Sequence, residues 1–450
     1  MPSSNPHSLL SDPIPQTLTR MGAPMALGII AILTFNLVDT FFIGLLGTQA
    51  LAAVSFTFPV TFMLSSILMG LGVGLSSVLA HTLGEGDRHL AAKLASHGIL
   101  LGLVSILILA NLCHLWMNPL FRLLGAPESL LPLIRSYMVI WFTALPLLAI
   151  PMLGNAAIRA TGDTRTPAIV MTVAGLVNGV VDPLLIFGLG PFPQLGIQGA
   201  VIASALSWLI ALVVSLYILR QREKLLVFEV ASLRELVDNW RRILRIALPA
   251  SLTNLLTPFA NAILMMIFAR FGTEVVAAYG AASRVESLLL IVIMALCSVL
   301  APFVAQNTGA AQHQRSRTAL FVSIRFSILS GLLLYGIIFV ISPWVAMAFS
   351  SHPRVEELIT LYLRIVPLGY GMQGCLMLLA SALNGLQAPV ASLLFNGMRL
   401  FVFVVPFAWL GSQLAGTTGI FCGLLAASLC SGAIALHFSA RSFPRGFLRG

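Results

Sequence analysis

Apolar runs of membrane-crossing length alternate with short polar breaks along almost the whole chain. Twelve such runs lie near 20–44, 51–80, 94–114, 133–157, 166–189, 197–219, 243–269, 276–304, 318–342, 358–383, 389–411 and 418–439. About 20 apolar residues in helical form cross a hydrocarbon core of about 30 Å, so each run predicts one transmembrane helix. The pattern is weakest at 111–135 and 340–358, where proline and charge interrupt it. The fold class it predicts is all-α and polytopic.

Composition agrees with this reading. Of the 450 residues, 58% are hydrophobic and only 9% charged, against about 25% charged in soluble domains. The mean hydropathy is +0.98. The polar, proline-rich start MPSSNPHSLLSDPIPQTLTR lacks a basic stretch followed by a short apolar core and a cleavage site. The first span is therefore expected to act as its own insertion signal.

The net charge of +10 would suggest nucleic acid on a soluble protein, but its distribution points to topology instead. With twelve spans, seventeen Lys and Arg fall on the side that carries both termini, and four (Arg122, Arg135, Arg270, Arg354) on the other. The positive-inside bias then puts both termini in the cytoplasm. The expected location is a bacterial inner membrane, with lipids as surroundings and no nucleic-acid partner. The five cysteines have neither CxxC spacing nor a histidine partner, and read as small buried apolar residues.

The one long charged stretch, 220–245, divides the chain. Within it Ser232 and Glu235 have capping-box spacing, and Leu233, Leu236, Val237, Trp240 and Leu244 recur at helical spacing against charged positions. It reads as an amphipathic connector at the membrane surface. The division is thus a tail (1–19), an N-lobe with spans one to six (20–219), the connector (220–242), a C-lobe with spans seven to twelve (243–440) and a second tail (441–450). The lobes resemble each other at an offset of 225. Pro24 meets Pro249, Asn36 meets Asn261, Gly47-Thr48 meets Gly272-Thr273, and Gly84 meets Gly309. An even number of spans per half makes the repeats parallel, the arrangement of transporters that rock one bundle against the other.

Two carboxylates stand inside these runs: Asp39 in GIIAILTFNLVDTFFIGLLG and Asp182 in AGLVNGVVDPLLIFGLG. An ionisable group in the bilayer core costs a few kcal/mol, so it marks a cavity or an ion path. Asn178 and Asp182 share one face of span five, as do Asn36 and Asp39 on span one. If the two spans adjoin, the four converge on a polar chamber, with Ser204 and Ser207 of span six along its wall. Such an all-oxygen site suits H⁺ or a hard monovalent cation rather than a transition metal. Burial and a second carboxylate both disfavour charge, so the pair can switch between protonated and ionised states. Pro24 removes a backbone hydrogen bond and makes span one bendable, so protonation of Asp39 is expected to bend this helix.

The second half lacks these acids and carries Arg284 and Glu286 in span eight and Arg399 in span eleven. Together with Asn261, these are candidates for a substrate cavity. Arg325 and Arg364 lie nearer span ends and are read as snorkelling. No P-loop, HExxH or GxSxG run is present, so ATP-driven transport and enzymatic catalysis are not expected.

The stretches RMGAPMALGIIAILTFNLVDTFFIGLLGTQALAA, HTLGEGD, AIRATGDTRTP, LVNGVVDPLLIFG and GIQGAVIASALS, in this order, resemble the multidrug and toxic compound extrusion (MATE) family. Asp39 with Asn178 and Asp182 looks like its DinF-like branch. The resemblance implies twelve helices in two pseudo-symmetric six-helix lobes. It implies secondary active antiport of lipophilic, mainly cationic drugs or toxic organic cations against H⁺ or Na⁺, by a monomer without a cofactor. It also implies an ion site of Asp39, Asn178, Asp182 and a hydroxyl, here matched by Ser204, with no metal beyond Na⁺ at these residues. Second-lobe acids of the sodium-type branch are missing from GYGMQG (369–374), which favours coupling through the first lobe. The alternative reading is a flippase for lipids or lipid-linked oligosaccharides, with the same gross architecture.

Overall fold

The computed structural model describes residues 8–227 and 232–441. Residues 1–7, 228–231 and 442–450, which hold parts of the expected tails and connector, lie outside the described residues. The described chain is helical throughout. The first half has spans at Ile14–Leu45, Thr48–Glu85, Arg88–Leu115, Leu131–Ala160, Arg165–Phe187 and Ile197–Tyr217. In the second half, span seven is Leu233–Ala269 and span nine His313–Phe349. Span eight breaks at Leu290 into Thr273–Leu289 and Ile291–Gly309. Span ten joins Pro353–Ile365 to Tyr370–Gly385 through a 3₁₀ turn. Span eleven starts at Pro389 and passes through a π-helical turn, Arg399–Val404. The helix beyond it turns back at Ala415 and Gly416 to give span twelve, which ends at Arg441. All twelve expected spans are present.

The connector differs from its expectation. It is not a separate surface helix: from Leu233 it continues without interruption into span seven. The charged first turns form one helix with the apolar stretch because no proline or glycine stands between Leu233 and Leu248, and the helix continues through Pro249. Ser232 caps it as expected, accepting from the Glu235 N–H at 3.2 Å. The Glu235 carboxylate turns instead to Lys93, at 2.9 Å.

Contacts divide the chain into two compact units. One contains Leu27–Ser251; the other contains the chain from Leu252 together with the first helix up to Ala26. Spans one and seven thus each belong to both units. Each passes from one to the other two residues beyond a proline, Pro24 and Pro249, again 225 positions apart.

The duplication is also written in the corners. Gly47 and Gly272 precede spans two and eight with φ of 109° and 110°. Gly86 and Gly162 have positive φ, and so do their partners at the same offset, Ala311 (59°) and Gln387 (59°).

In the first unit the early turns of span seven lie on span two, where a Cβ at Gly74 would come within 2.7 Å of the Ile243 carbonyl oxygen. Small residues let membrane helices approach this closely. Asn239 bonds the His97 ring at 2.9 Å, and Trp240 Nε1 donates to the His97 carbonyl at 2.9 Å. In the second unit spans nine and ten touch backbone to backbone at Gly331 and Gly371. Beside them an aromatic core gathers Phe268, Tyr279, Tyr362 and Phe421, with ring centroids 4.3 to 6.4 Å apart.

A left-handed backbone costs a non-glycine residue roughly 1–2 kcal/mol. Ala311→Gly and Gln387→Gly are therefore expected to raise the unfolding temperature in a thermal-shift assay, and Gly272→Ala to lower it. Unchanged midpoints for all three would show that these corners carry no strain.

Candidate functional site

The site in the first unit follows from how span one lies on span five. Glycines at 175 and 179 clear one face of span five for the Phe35 ring, and a Cβ at Gly175 would sit 1.9 Å from that ring. Gly28 touches Ala168 in the same way, and Phe42 packs edge-on against Phe187 at 6.2 Å. With the helices held at these points, Asp39, one turn past Phe35, faces Asp182. The two carboxyl groups are close enough to act on each other electrostatically.

Asp182 is fully buried. Its Oδ1 accepts from Asn178 Nδ2 at 3.2 Å, and the same amide donates to Ser204 Oγ at 3.3 Å. The structure therefore brings Asp39, Asn178, Asp182 and Ser204 together from spans one, five and six. Ser207 does not join them: it is buried and bonds its own helix at the Ala203 carbonyl. Asn36 is exposed, and only its backbone carbonyl is engaged, by the Thr40 hydroxyl. Tyr137 of span four, which sequence reasoning missed, stands within electrostatic range of both carboxyls. Its signal was faint, a single phenol in the apolar run YMVIWFTAL.

Two ionised carboxylates have no donor between them, so their contact calls for a shared proton or a cation. Asp39 Oδ1 and Asp182 Oδ2 are buried without a hydrogen-bond partner, which leaves free lone pairs for either. The Asn178 amide is committed as a donor, because Asp182 needs one. It thus turns its nitrogen, not its oxygen, toward the cluster. Among the described residues no group of three or more His, Cys, Asp or Glu could hold a metal ion.

A second polar group lies in the second unit. Tyr362 donates to Glu286 Oε2 at 3.0 Å, Tyr370 and Gln373 approach the same carboxylate, and Arg399 stands within electrostatic range. Arg399 opens the π turn of span eleven, and its Nε is buried without a hydrogen-bond partner. Arg284 and Asn261 are exposed and belong to neither group.

The model of the family described as MatE matches residues 24–184 and again 249–410, repeating the offset of 225. The chain belongs to the MatE family. It is accordingly a multi-pass secondary transporter working by alternating access, not an enzyme. A Shewanella oneidensis protein named FAD transporter is 44% identical over 97% of this chain and 96% of its own length. Bacillus subtilis YoeA, a probable multidrug resistance protein, is 25% identical, covering 81% and 83% of the two chains. The bent form of the Vibrio cholerae MATE transporter VcmN superposes with a TM-score of 0.91 at 29% identity, covering 95% of this chain and 96% of that one.

The Phe35–glycine contact can be tested by exchanging sizes. Gly175→Leu should separate spans one and five and cut transport about tenfold or more, as overpacking a tight contact costs about 1–3 kcal/mol. Adding Phe35→Ala should restore much of it. No recovery in the double variant would disconnect this contact from the site.

Proposed function

We propose that this transporter of the DinF-like branch exports FAD or a closely similar anionic dinucleotide in exchange for protons, which Asp39 and Asp182 hold between them. The observation that carries the coupling is the buried contact of two carboxyls from different helices. When the pair holds a proton, spans one and five are joined at Asp39. When the proton leaves, two like charges face each other at short range in a medium that screens them poorly, and span one is pushed away. Pro24 gives that movement a hinge. Because protonation favours one conformation and cargo the other, the two binding events are coupled. Both termini are assigned to the cytoplasm by the charge bias, and the protein is taken as a monomer.

The cargo assignment rests on the high identity with the Shewanella protein over nearly the whole chain. Arg399 supports it chemically: a half-buried guanidinium whose Nε has no hydrogen-bond partner offers a charge-assisted hydrogen bond to a diphosphate, with Glu286 as its counter-charge when no cargo is bound. A second reading, export of lipophilic cations, is favoured by the first-unit acids and by the more distant relatives named for multidrug resistance.

Proteoliposomes with an imposed proton gradient separate the two. Wild type should move FAD without sodium, and Asp39→Asn should reduce gradient-driven FAD movement about tenfold or more, a coupling loss of at least about 1.4 kcal/mol. Arg399→Gln should raise KM for FAD by roughly tenfold to a hundredfold, the worth of a hydrogen bond to a charged group. Transport of ethidium but not FAD would overturn the cargo assignment. Full transport by Asp39→Asn would overturn the coupling.

A further inference from the structure

A cleft of about 360 Å³ opens along the first turns of span nine, lined by Gln314, Arg317, Thr318, Phe321, Val322 and Arg325. These positions recur at intervals of three and four, so they form one continuous face of the helix. Its charges are all of one sign. Arg317 lies over the Phe321 ring at 5.5 Å and donates at 3.0 Å to the carbonyl of Ala440, beside the exposed Arg441 at the end of span twelve. Arg325 is exposed, and among the described residues no carboxylate pairs with it. Two guanidiniums thus point into a cleft that contains no acid.

The position of the cleft along the helix matters as much as its charge. Beyond Arg325 the run Phe326–Phe349 carries no charged residue and is long enough to cross about 30 Å of hydrocarbon. Arg325 therefore stands at the boundary between headgroups and acyl chains, and the cleft lies in the headgroup layer on the basic side of the membrane. Directly below it the same face carries exposed apolar side chains, Leu329, Leu332 and Phe339. Basic cleft above and apolar stripe below have the shape and chemistry of one phospholipid, and basic recesses between membrane helices on that side bind anionic headgroups.

We infer that this cleft is a binding site for an anionic phospholipid, the phosphodiester held by Arg317 and Arg325 and the acyl chains lying along the lower face of span nine. Arg317 also ties span nine to the end of span twelve, so an occupied site brings a negative charge against that junction and stabilises the second unit. The site is separate from both polar groups described above and does not depend on the identity of the cargo.

Native mass spectrometry of the full chain, equilibrated with equal amounts of dioleoylphosphatidylglycerol and dioleoylphosphatidylcholine, tests it. Wild type should retain the anionic phosphatidylglycerol with a preference of about tenfold or more. The pair Arg317→Gln/Arg325→Gln should lose most of that preference, whereas Arg354→Gln, at the opposite end of the molecule's charge pattern, should keep it. Arg325→Gln alone alters only an exposed side chain, and should lower the preference if the double variant does not fold. Retention that survives excess inorganic phosphate supports a lipid. Displacement by phosphate would make this a site for a free anion and overturn the inference. Equal retention of the two lipids by wild type, or a preference unchanged in Arg325→Gln, would overturn it as well.

Discussion

A carboxyl group inside hydrocarbon is tolerated only if something neutralises it, and in this protein Asp39 faces another carboxyl, Asp182, so that a proton or a cation has to neutralise the pair. Much of the first unit serves that contact. Glycines on span five admit Phe35 so that span one can come close. Asn178 spends its donors on Asp182 and Ser204, which fixes the orientation of one carboxyl and leaves one buried oxygen of each acid without a hydrogen-bond partner. A pair built in this way is stable with a proton or cation between its members and unstable without one. That asymmetry is the basis of the proposed exchange.

The second unit solves a different electrostatic problem. Glu286 is stabilised by phenols and by Arg399 at a distance, in a setting of packed aromatic rings. The two halves share corner torsions, prolines and the point at which spans one and seven change unit. Duplication has thus preserved the frame and released the chemistry, with acids in one half and a mixed pair in the other. A division of labour between ion coupling and cargo recognition is the simplest use of such divergence.

The sequence was most readable where physics leaves few options. Twelve spans follow from hydrocarbon thickness, and Asp39 and Asp182 stand out because nothing else in their runs is charged. The corner glycines showed the repeat. What was hidden depends on rotation about helix axes and on contacts from elsewhere in the chain. Ser204 and Ser207 differ by less than one turn, yet only Ser204 faces the cluster, since Ser207 bonds its own backbone. Tyr137, Tyr362 and Tyr370 look like packing residues until the carboxyls they surround are located. The break at Leu290 has no proline or glycine to announce it, whereas the π turn at Arg399–Val404 is flanked by Gly397 and by Pro406, which has no N–H to offer the Val402 carbonyl. The amphipathic connector read as a separate piece because its charge contrasts with the apolar stretch that follows, although the backbone continues as one helix.

The central claim is that cargo and proton compete through the Asp39–Asp182 pair. Proton release on cargo binding tests it most directly: FAD is added to the weakly buffered, purified protein in the presence of a pH-indicator dye. The account predicts stoichiometric release from wild type and none from Asp39→Asn or Asp182→Asn, at FAD concentrations that saturate each protein. FAD binding to wild type without proton release, or equal release from the variants, would contradict it.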